Sequence, residues 1–420
     1  TSFICLSIAL FLRLISKSKS KKLPPSPTTF PIIGNFLLLV RSSKNFAGLE
    51  PILRDLRAKH GPVVMLKIGF RPAIFITSPE IAHKALVQSG AMFASRPPAL
   101  ETSKILLSNQ HTITSAAYGP LWRILRHNFM SLIHPSKLHV FSRGRRWAVG
   151  NLINDLREMS RTSTEGVLVL EHIQRSIYSL LLFMCFGQEL EREPLINAKK
   201  EGRIETNPCY IDTLLDLKHP EEDRKLSDGE LVSLCSEFIN AGTDTSATAL
   251  QWVMANLVKY QHIQEKVICE IRKVVGPGEE IKEEHINKMP FLKAVVLETL
   301  RRHPPGHFIL PRAVVEDTKL EGYDIPKEAI VNFTVAEMAR DELVWEDPMA
   351  FKPERFLKND GDVVDFDIKG VQEIKMMPFG AGRRVCPAIS LAQENTEVDL
   401  SETQDFTIVM KNPLKCRVIP

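Results

Sequence analysis

The chain has 420 residues, of which 44% are hydrophobic and 25% are charged, as in ordinary folded proteins. Its net charge of +4 is small and lies in short clusters, which argues against nucleic acid as a partner. The seven cysteines are an odd number without a CxxC pair. They argue against a disulfide scaffold or a structural zinc site and favour a reducing compartment.

Residues 1–22 combine an apolar run with a basic end. The run is apolar from Phe3 to Ile15 apart from one serine and Arg13, and four lysines follow it by Lys22. A bilayer span needs about 20 apolar residues, so we expect a membrane anchor that is truncated at its start. The positive-inside rule then predicts that the body faces the cytosol. A buried core helix remains the alternative.

Residues 23–35, LPPSPTTFPIIGN, form a proline-rich segment. Its four prolines cannot continue a helix and favour a stiff, extended path. The segment therefore predicts a hinge that holds the body at a fixed angle from the anchor, although proline-rich segments are also common peptide ligands.

The rest of the chain predicts one large, mainly helical domain, residues 36–420, with a minor β portion. The β-branched runs 63–68 and 73–77 predict a hairpin. Helical periodicity dominates from about residue 79 to residue 302. Ser227 and Glu230 form a capping box that predicts a long helix to about Tyr260. Further helices are predicted to Val275 and from Pro290 to Arg302.

The stretch PFGAGRRVCPA places a single cysteine, Cys386, after a glycine-rich loop. Backbone amides turned inward at Gly380 and Gly382, a helix starting after the cysteine, and the cations Arg383 and Arg384 would all favour a thiolate. The thiolate is a candidate nucleophile, redox thiol or metal ligand. A buried cysteine that only packs is the simpler alternative.

Two helical motifs carry further polar residues. Glu298 and Arg301 are three residues apart and so lie on one helix face, where they can pair. The motif AGTDTS, residues 241–246, places polar groups within an apolar helix. Hydrogen bonding of the hydroxyls to the preceding turn explains it simply, and a bent groove beside a ligand is the functional alternative.

Together these motifs resemble the cytochrome P450 haem-thiolate monooxygenases of the plant microsomal type. The resemblance rests on the cysteine loop, ETLR, AGTDT, PERF at 353–356 and WRILR at 122–126, and it covers nearly the whole chain. It implies the mainly α cytochrome P450 fold. It also implies haem b, bound by Trp122, Arg126, Ala241, Gly242, Arg312, Phe379, Gly382, Arg384 and Cys386.

Within that set, the resemblance implies a role for each residue. Cys386 is the thiolate ligand of the iron, with Phe379 packed beneath its sulfur. Four residues pair with the haem propionates, namely Trp122, Arg126, Arg312 and Arg384. Ala241 and Gly242 leave room for dioxygen. Asp244 and Thr245 are the catalytic residues that deliver protons. Glu298, Arg301 and Arg355 form a structural triad.

The implied reaction inserts one oxygen atom from O2 into a small, largely apolar organic substrate. The electrons come from NADPH through a membrane-bound NADPH–cytochrome reductase. The resemblance further implies a monomer in the endoplasmic reticulum membrane with its catalytic domain in the cytosol. The segments expected to face the substrate are mainly apolar and include His307, which we expect to be packed or pocket-lining; they are residues 99–117, 238–245, 306–310 and 406–409.

The sequence departs from the family pattern at three places. Ala388 stands where the family usually has glycine. Apolar character after Cys386 ends at Ala392, and residues 188–209 are too short for two long helices at 1.5 Å per residue. We therefore expect a fold that lacks the lid helix pair and most of the helix after Cys386. The alternatives are a catalytically defective, membrane-associated remnant or a paralogue with a wrongly assigned gene structure, either with weak or no haem binding, and a soluble thiol enzyme that uses Cys386.

Overall fold

A computed structural model describes most of the chain. The described residues are 22–28, 34–35, 49–68, 71–162, 167–187, 209–276, 279 and 281–390, with short pieces at 402–404, 408–410 and 414–416. The expected anchor up to residue 21 and the two short segments at 188–208 and 391–400 lie outside them. Within the described residues, no helix combines the length and apolar character needed to cross a bilayer.

Helices are the main secondary structure of the described residues. In chain order they are α1 (Leu49–His60), α2 (Pro79–His83), α3 (Glu101–Leu106), α4 (Pro120–Leu132), α5 (Ser142–Thr162), α6 (Val169–Phe186), α7 (Tyr210–Leu215), α8 (Asp228–Lys259), α9 (Gln261–Val274), α10 (Glu283–Ile286), α11 (Pro290–Arg302) and α12 (Val335–Ala339). Short 3-10 turns cover Ser108–Gln110, Pro135–Phe141, Pro353–Phe356, Gly382–Arg384 and Pro387–Ser390, and a π turn covers Lys84–Gln88.

The strands are short. They are β1 (Val63–Ile68), β2 (Arg71–Ile76), β3 (Val167–Leu168), β4 (Lys218–His219), β5 (Arg224–Lys225), β6 (Arg312–Ala313), β7 (Thr318–Leu320), β8 (Tyr323–Ile325), β9 (Ile330–Phe333), β10 (Glu402–Gln404), β11 (Ile408–Met410) and β12 (Lys415–Cys416). The main sheet has the order β1-β2-β9-β6. In it β1 and β2 form the predicted hairpin, β9 runs parallel to β2, and β6 runs antiparallel to β9.

The long helix α8 is the central element of the helical core. Its first turn closes with the predicted capping box, because Ser227 accepts from the Glu230 amide while the Glu230 carboxylate accepts from the Ser227 amide. The helix packs closely on α6. A Cβ at Gly242 would lie 2.7 Å from Cδ1 of Leu181, so glycine allows the two helices to approach. Helices α9 and α11 also match their predicted bounds, since Gly/Pro signals mark their ends.

Helix α1 is fastened to the segments after α11 by three polar side-chain contacts. Arg54 binds Glu337 through two hydrogen bonds, of 2.6 and 3.2 Å. Arg57 Nη2 lies 2.5 Å from Asp341 Oδ2, and Glu50 contacts His307. His307 is buried and lies against α1. The structure therefore favours packing over pocket lining for this histidine.

The described part of the proline-rich hinge lies along the sheet. The Pro25 carbonyl accepts from the Met65 amide at 2.8 Å, and Leu23 packs with the apolar cluster behind the sheet. Asn35 exchanges hydrogen bonds with Lys67, whose amide donates to the Asn35 Oδ1 at 2.8 Å. These contacts give residues 22–28 and 34–35 a fixed course on the body.

Candidate functional site

The cysteine loop closes on itself through two backbone hydrogen bonds. The Cys386 amide donates to the Phe379 carbonyl at 2.8 Å, and the Val385 amide donates to the Gly382 carbonyl at 3.0 Å. Gly382 has φ +69°, and a Cβ there would overlap the Leu86 carbonyl oxygen. Glycine is therefore required at this position by both conformation and space.

The expected causes of a thiolate at Cys386 are only partly present. Burial raises the pKa of the Cys386 thiol, and this effect outweighs the Ala388 amide and the positive charge of Arg126, which both lower it. The only helical segment after the cysteine within the described residues is the 3-10 turn Pro387–Ser390. The expectation that the protein alone favours a thiolate is wrong, because desolvation dominates.

The side chains of the two loop arginines donate hydrogen bonds to groups within residues 94–118. Arg383 is exposed and donates to the Tyr118 hydroxyl at 2.8 Å. Arg384 is buried and donates to the carbonyls of Ala94, Ile113 and Ala116 at 2.5–3.0 Å. The cation that acts on Cys386 is instead Arg126, whose Nη2 donates to the adjacent Val385 carbonyl at 2.7 Å.

Arg384 is the centre of a group of cations, which we call the arginine group: Arg312 and Arg384 are buried, and Arg96 and Arg126 are half-buried. Its guanidinium lies 4.6 Å from the ring centre of Trp122. Burial lowers the pKa of Arg384 to about 9, and the positive charges of Arg96 and Arg126 add to that effect. Buried like charges of this kind are costly unless an anion neutralises them.

Arg312, at the start of β6, has the least satisfied environment of the four. It is 2% exposed, and its Nε and Nη1 find no hydrogen-bond acceptor among the described residues. Burial first, and then the charges of Arg96 and Arg384, lower its pKa well below the usual range. The buried Nε1 of Trp122 likewise has no partner within the described part of the chain. Unpaired buried donors each cost about 1–3 kcal/mol.

These unpaired donors and unbalanced cations fit a buried dianion. Haem carries two carboxylates, and charge-assisted hydrogen bonds from arginine are the strong ones. Trp122, Arg312 and Arg384, all inferred from the resemblance, therefore occupy positions suited to the haem propionates.

Sequence reasoning missed Arg96. Its Nε donates to the Thr114 carbonyl at 2.6 Å, and its Nη1 donates to the carbonyls of Leu310 and Pro311, both at 2.8 Å. Burial lowers the pKa of Arg96 to about 10. The available signal was a lone arginine before two prolines in FASRPP, residues 93–98.

Phe379 packs its ring on the helical core and supports the cysteine loop through its backbone. The ring packs against the apolar cluster that α8, α9 and α11 share, which includes Val253 and Leu300. The backbone of Phe379, through its carbonyl, supports the Cys386 amide.

On α8, Ala241 and Thr245 lie one turn apart, and the Thr245 hydroxyl donates to the Ala241 carbonyl at 2.6 Å. Asp244 beside them is half-buried. Gly242 lies against Leu181 of α6. The structure therefore supplies a packing reason for this glycine, and Ala241 is the small residue that is exposed.

Glu298, Arg301 and Arg355 are brought together. Glu298 and Arg301 are both wholly buried, and Arg355 Nε lies 3.3 Å from Glu298 Oε1. The remaining Arg301 donors reach the carbonyls of Ala339 and Ala350. The three residues join α11 to the PERF turn and to the segment before it.

Comparison with known proteins agrees with these features. The family model for cytochrome P450 matches residues 24–201 and 192–404. The chain is 40% identical over 498 positions to "Cytochrome P450 89A9" of Arabidopsis thaliana, covering 99% of this chain and 97% of that protein. It is 30% identical to "5-epiaristolochene 1,3-dihydroxylase" of Nicotiana tabacum, covering 95% of this chain and 90% of that one.

Solved structures show the same fold. A zebra fish cytochrome P450 structure with abiraterone superposes with a TM-score of 0.68 at 24% identity, covering 82% of this chain and 87% of that chain. The mainly α class with a minor β portion is thus confirmed. The chain belongs to the cytochrome P450 family, a family of monooxygenases.

Proposed function

We propose that the chain is a haem-thiolate monooxygenase that inserts one oxygen atom from O2 into a small, largely apolar organic substrate. The observation that carries this proposal is the arginine group beside Trp122, with buried N–H groups that lack acceptors among the described residues. Such an arrangement suits the two carboxylates of haem b.

Each part of the site has a task in this proposal. Cys386 would hold the iron as a thiolate, although burial raises the pKa of its free thiol. When bound, haem with a thiolate ligand supplies the chemistry of O–O bond cleavage. Asp244 and Thr245 move protons on the α8 side, and Ala241 leaves space beside them. The triad of Glu298, Arg301 and Arg355 holds the fold.

The substrate class follows from apolar side chains in the predicted pocket segments. Leu100, Ile105 and Leu310 are 70%, 84% and 46% exposed. Exposed apolar side chains at a site favour an apolar ligand.

We further propose a monomer in the endoplasmic reticulum membrane, with residues 1–22 as the anchor, residues 23–35 as the hinge and residues 36–420 as the cytosolic catalytic domain. The contacts of residues 22–28 with β1 and β8 support the hinge. NADPH supplies electrons through a reductase. The exposed cations Arg123 and Arg383 near the cysteine loop suit docking to an acidic protein.

The test is the absorption spectrum of the reduced, purified full-length chain under carbon monoxide. The proposal expects a strongly red-shifted Soret band that Cys386→Ser abolishes and Cys235→Ser, on α8, preserves. Equal loss in both variants would mean that Cys386 is not the ligand. Burial raises the pKa of the Cys386 thiol, which argues against the soluble thiol enzyme, since that alternative predicts sensitivity to alkylation without a haem spectrum.

A second candidate is a membrane-associated remnant without catalysis. The comparison with the Arabidopsis protein runs over 498 positions, more than the 420 residues present, so that protein has residues without a counterpart in this chain. The family model also matches the chain in two separate parts, which overlap at residues 192–201. A chain that takes up no haemin on reconstitution would favour this candidate.

A further inference from the structure

The carboxylate of Glu237, on α8, holds the backbone of the segment before α4. Its Oε2 accepts from the Ile113 amide at 2.9 Å, and its Oε1 accepts from the Thr114 amide at 2.7 Å. The Thr114 hydroxyl also donates to Oε1. Three donors on one carboxylate fix two successive residues more tightly than a single hydrogen bond can.

The carbonyl groups of the same two residues face the arginine group. Arg384 Nη1 donates to the Ile113 carbonyl at 3.0 Å, and Arg96 Nε donates to the Thr114 carbonyl at 2.6 Å. Ile113 and Thr114 therefore connect the Glu237 carboxylate to two guanidiniums through their own peptide groups. Chains of hydrogen bonds between ionised ends polarise and strengthen one another.

Glu237 also brings a negative charge close to these cations. Burial lowers the pKa of Arg96, and the Glu237 charge is the influence that opposes this shift. Along α8, Glu237 lies one turn before Ala241 and two turns before Thr245. One helix thus carries both the expected proton-delivery residues and the carboxylate that organises the arginines.

We propose that Glu237 is a positioning residue for haem. It fixes Ile113 and Thr114, which in turn hold Arg96 and Arg384 in place for the haem carboxylates, and its charge partly offsets theirs. This inference rests on the proposed function, because it requires that the chain bind haem.

The test uses the full-length haem protein in detergent and compares wild type with Glu237→Gln. We measure the rate of haem transfer to an excess of apomyoglobin and the reduction potential of the bound haem. Glutamine loses the charge and places an amide donor where a second acceptor was. We expect roughly tenfold faster haem loss, the effect of about one charge-assisted hydrogen bond. The reduction potential should rise, because the added electron is better stabilised when a nearby negative charge is removed.

The matched control is Glu230→Gln. Glu230 is a buried carboxylate on the same helix that also contacts the segment before α4, through His111. Its other hydrogen-bond partners among the described residues are Arg224 and Ser227, which lie outside the arginine group. We expect wild-type haem loss and potential from this variant. Equal effects of the two substitutions would overturn the proposal, since they would reflect general loosening of α8.

A second variant, Glu237→Asp, distinguishes the effect of the carboxylate charge from the effect of its position. It also tests the proposal if Glu237→Gln does not fold. Aspartate keeps the charge and shortens the reach, so haem loss should accelerate while the potential stays near that of wild type. Wild-type haem loss in both Glu237 variants would overturn this inference and leave the proposed function intact. A wild-type chain that takes up no haem would overturn both.

Discussion

Glu298 and Arg301 form a two-point ion pair in which both side chains are wholly buried. The Nε–Oε2 and Nη2–Oε1 distances are 2.7 and 2.9 Å. The pair lies in one turn of α11, and further donors from Lys352 and Arg355 reach the same carboxylate. Both carboxylate oxygens and all three guanidinium nitrogens of the pair therefore have hydrogen-bond partners within the fold.

Arg301→Ala should destabilise the protein strongly. The substitution leaves the Glu298 charge buried without its main partner, which costs about 3–5 kcal/mol. Urea unfolding of the full chain measures the loss. Lys266→Ala is the control, because its pair with Glu354 is about half exposed on both sides, at 54% and 52%. That change should cost under about 1 kcal/mol. Similar losses would contradict the structural role of the buried pair.

Two glycines of the cysteine loop should respond differently to alanine. Gly380 and Gly382 share φ +69°, so both substitutions carry the same backbone strain. At Gly382 the added Cβ overlaps the Leu86 carbonyl, whereas at Gly380 its nearest neighbour is Ile309 Cγ2 at 3.5 Å. Gly382→Ala should therefore abolish haem uptake, and Gly380→Ala should only lower the thermal midpoint. Equal haem occupancy in the two variants would show that the close approach to Leu86 is not required.

Arg312→Met should have opposite effects on the two forms of the protein. Without haem, methionine removes a buried cation with unpaired donors, and such replacements are often neutral or stabilising. With haem, the variant loses a propionate partner, so haem should dissociate roughly tenfold faster or more. Thermal unfolding of the haem-free form and transfer to apomyoglobin measure the two effects.

Arg71→Met serves as the control for Arg312→Met. This residue is exposed at the start of β2, and its substitution should change neither measurement. A haem-free Arg312→Met protein that is much less stable than wild type would indicate an unrecognised acceptor for this guanidinium.

Thr245→Ala should uncouple NADPH consumption from product formation. Removing the hydroxyl interrupts proton delivery on the α8 side, so NADPH consumption should continue while product per NADPH falls severalfold. Thr243→Ala is matched to it, because Thr243 makes the same kind of bond, to the Ile239 carbonyl at 2.7 Å, from a buried position. Its coupling should stay near that of wild type. Unchanged coupling in Thr245→Ala would remove Thr245 from the relay.

Sequence signals predicted the elements whose causes are local. The capping box of Ser227 and Glu230 and the proline at residue 290 mark helix ends within a few residues, and the structure has them there. The Glu298–Arg301 pair was also predictable, because a spacing of three residues places both on one face.

Features that arise from distant contacts were not predictable in this way. Arg96 and Glu237 act on the backbone of Thr114, and a peptide group carries no sequence signature of its partner. The pKa of Cys386 was expected in the wrong direction, because burial is a sum over the whole fold and the loop sequence shows only nearby charges. The packing contact of Gly242 was not predictable either, since nothing local indicates that Leu181 approaches it.

Acid should destabilise the protein partly through Glu230. Burial alone raises the pKa of Glu230, but hydrogen bonds from Arg224, His111 and Ser227 outweigh it and leave the pKa well below its usual range. Below about pH 4.3, the ordinary value for glutamate, the unfolded chain binds a proton that the folded chain does not. The stability from Glu230 is therefore present above that pH and is lost as the pH falls.

Glu230→Gln should accordingly flatten the stability curve between about pH 5 and pH 2. We expect the wild type to lose about 1–2 kcal/mol more than the variant over this range, a figure reduced for the partial exposure of Arg224. Urea unfolding at a series of pH values measures the difference. Arg224→Met should flatten the curve in the same way, because it removes the two-point partner of the carboxylate. Full acid sensitivity in both variants would mean that other carboxylates carry the effect.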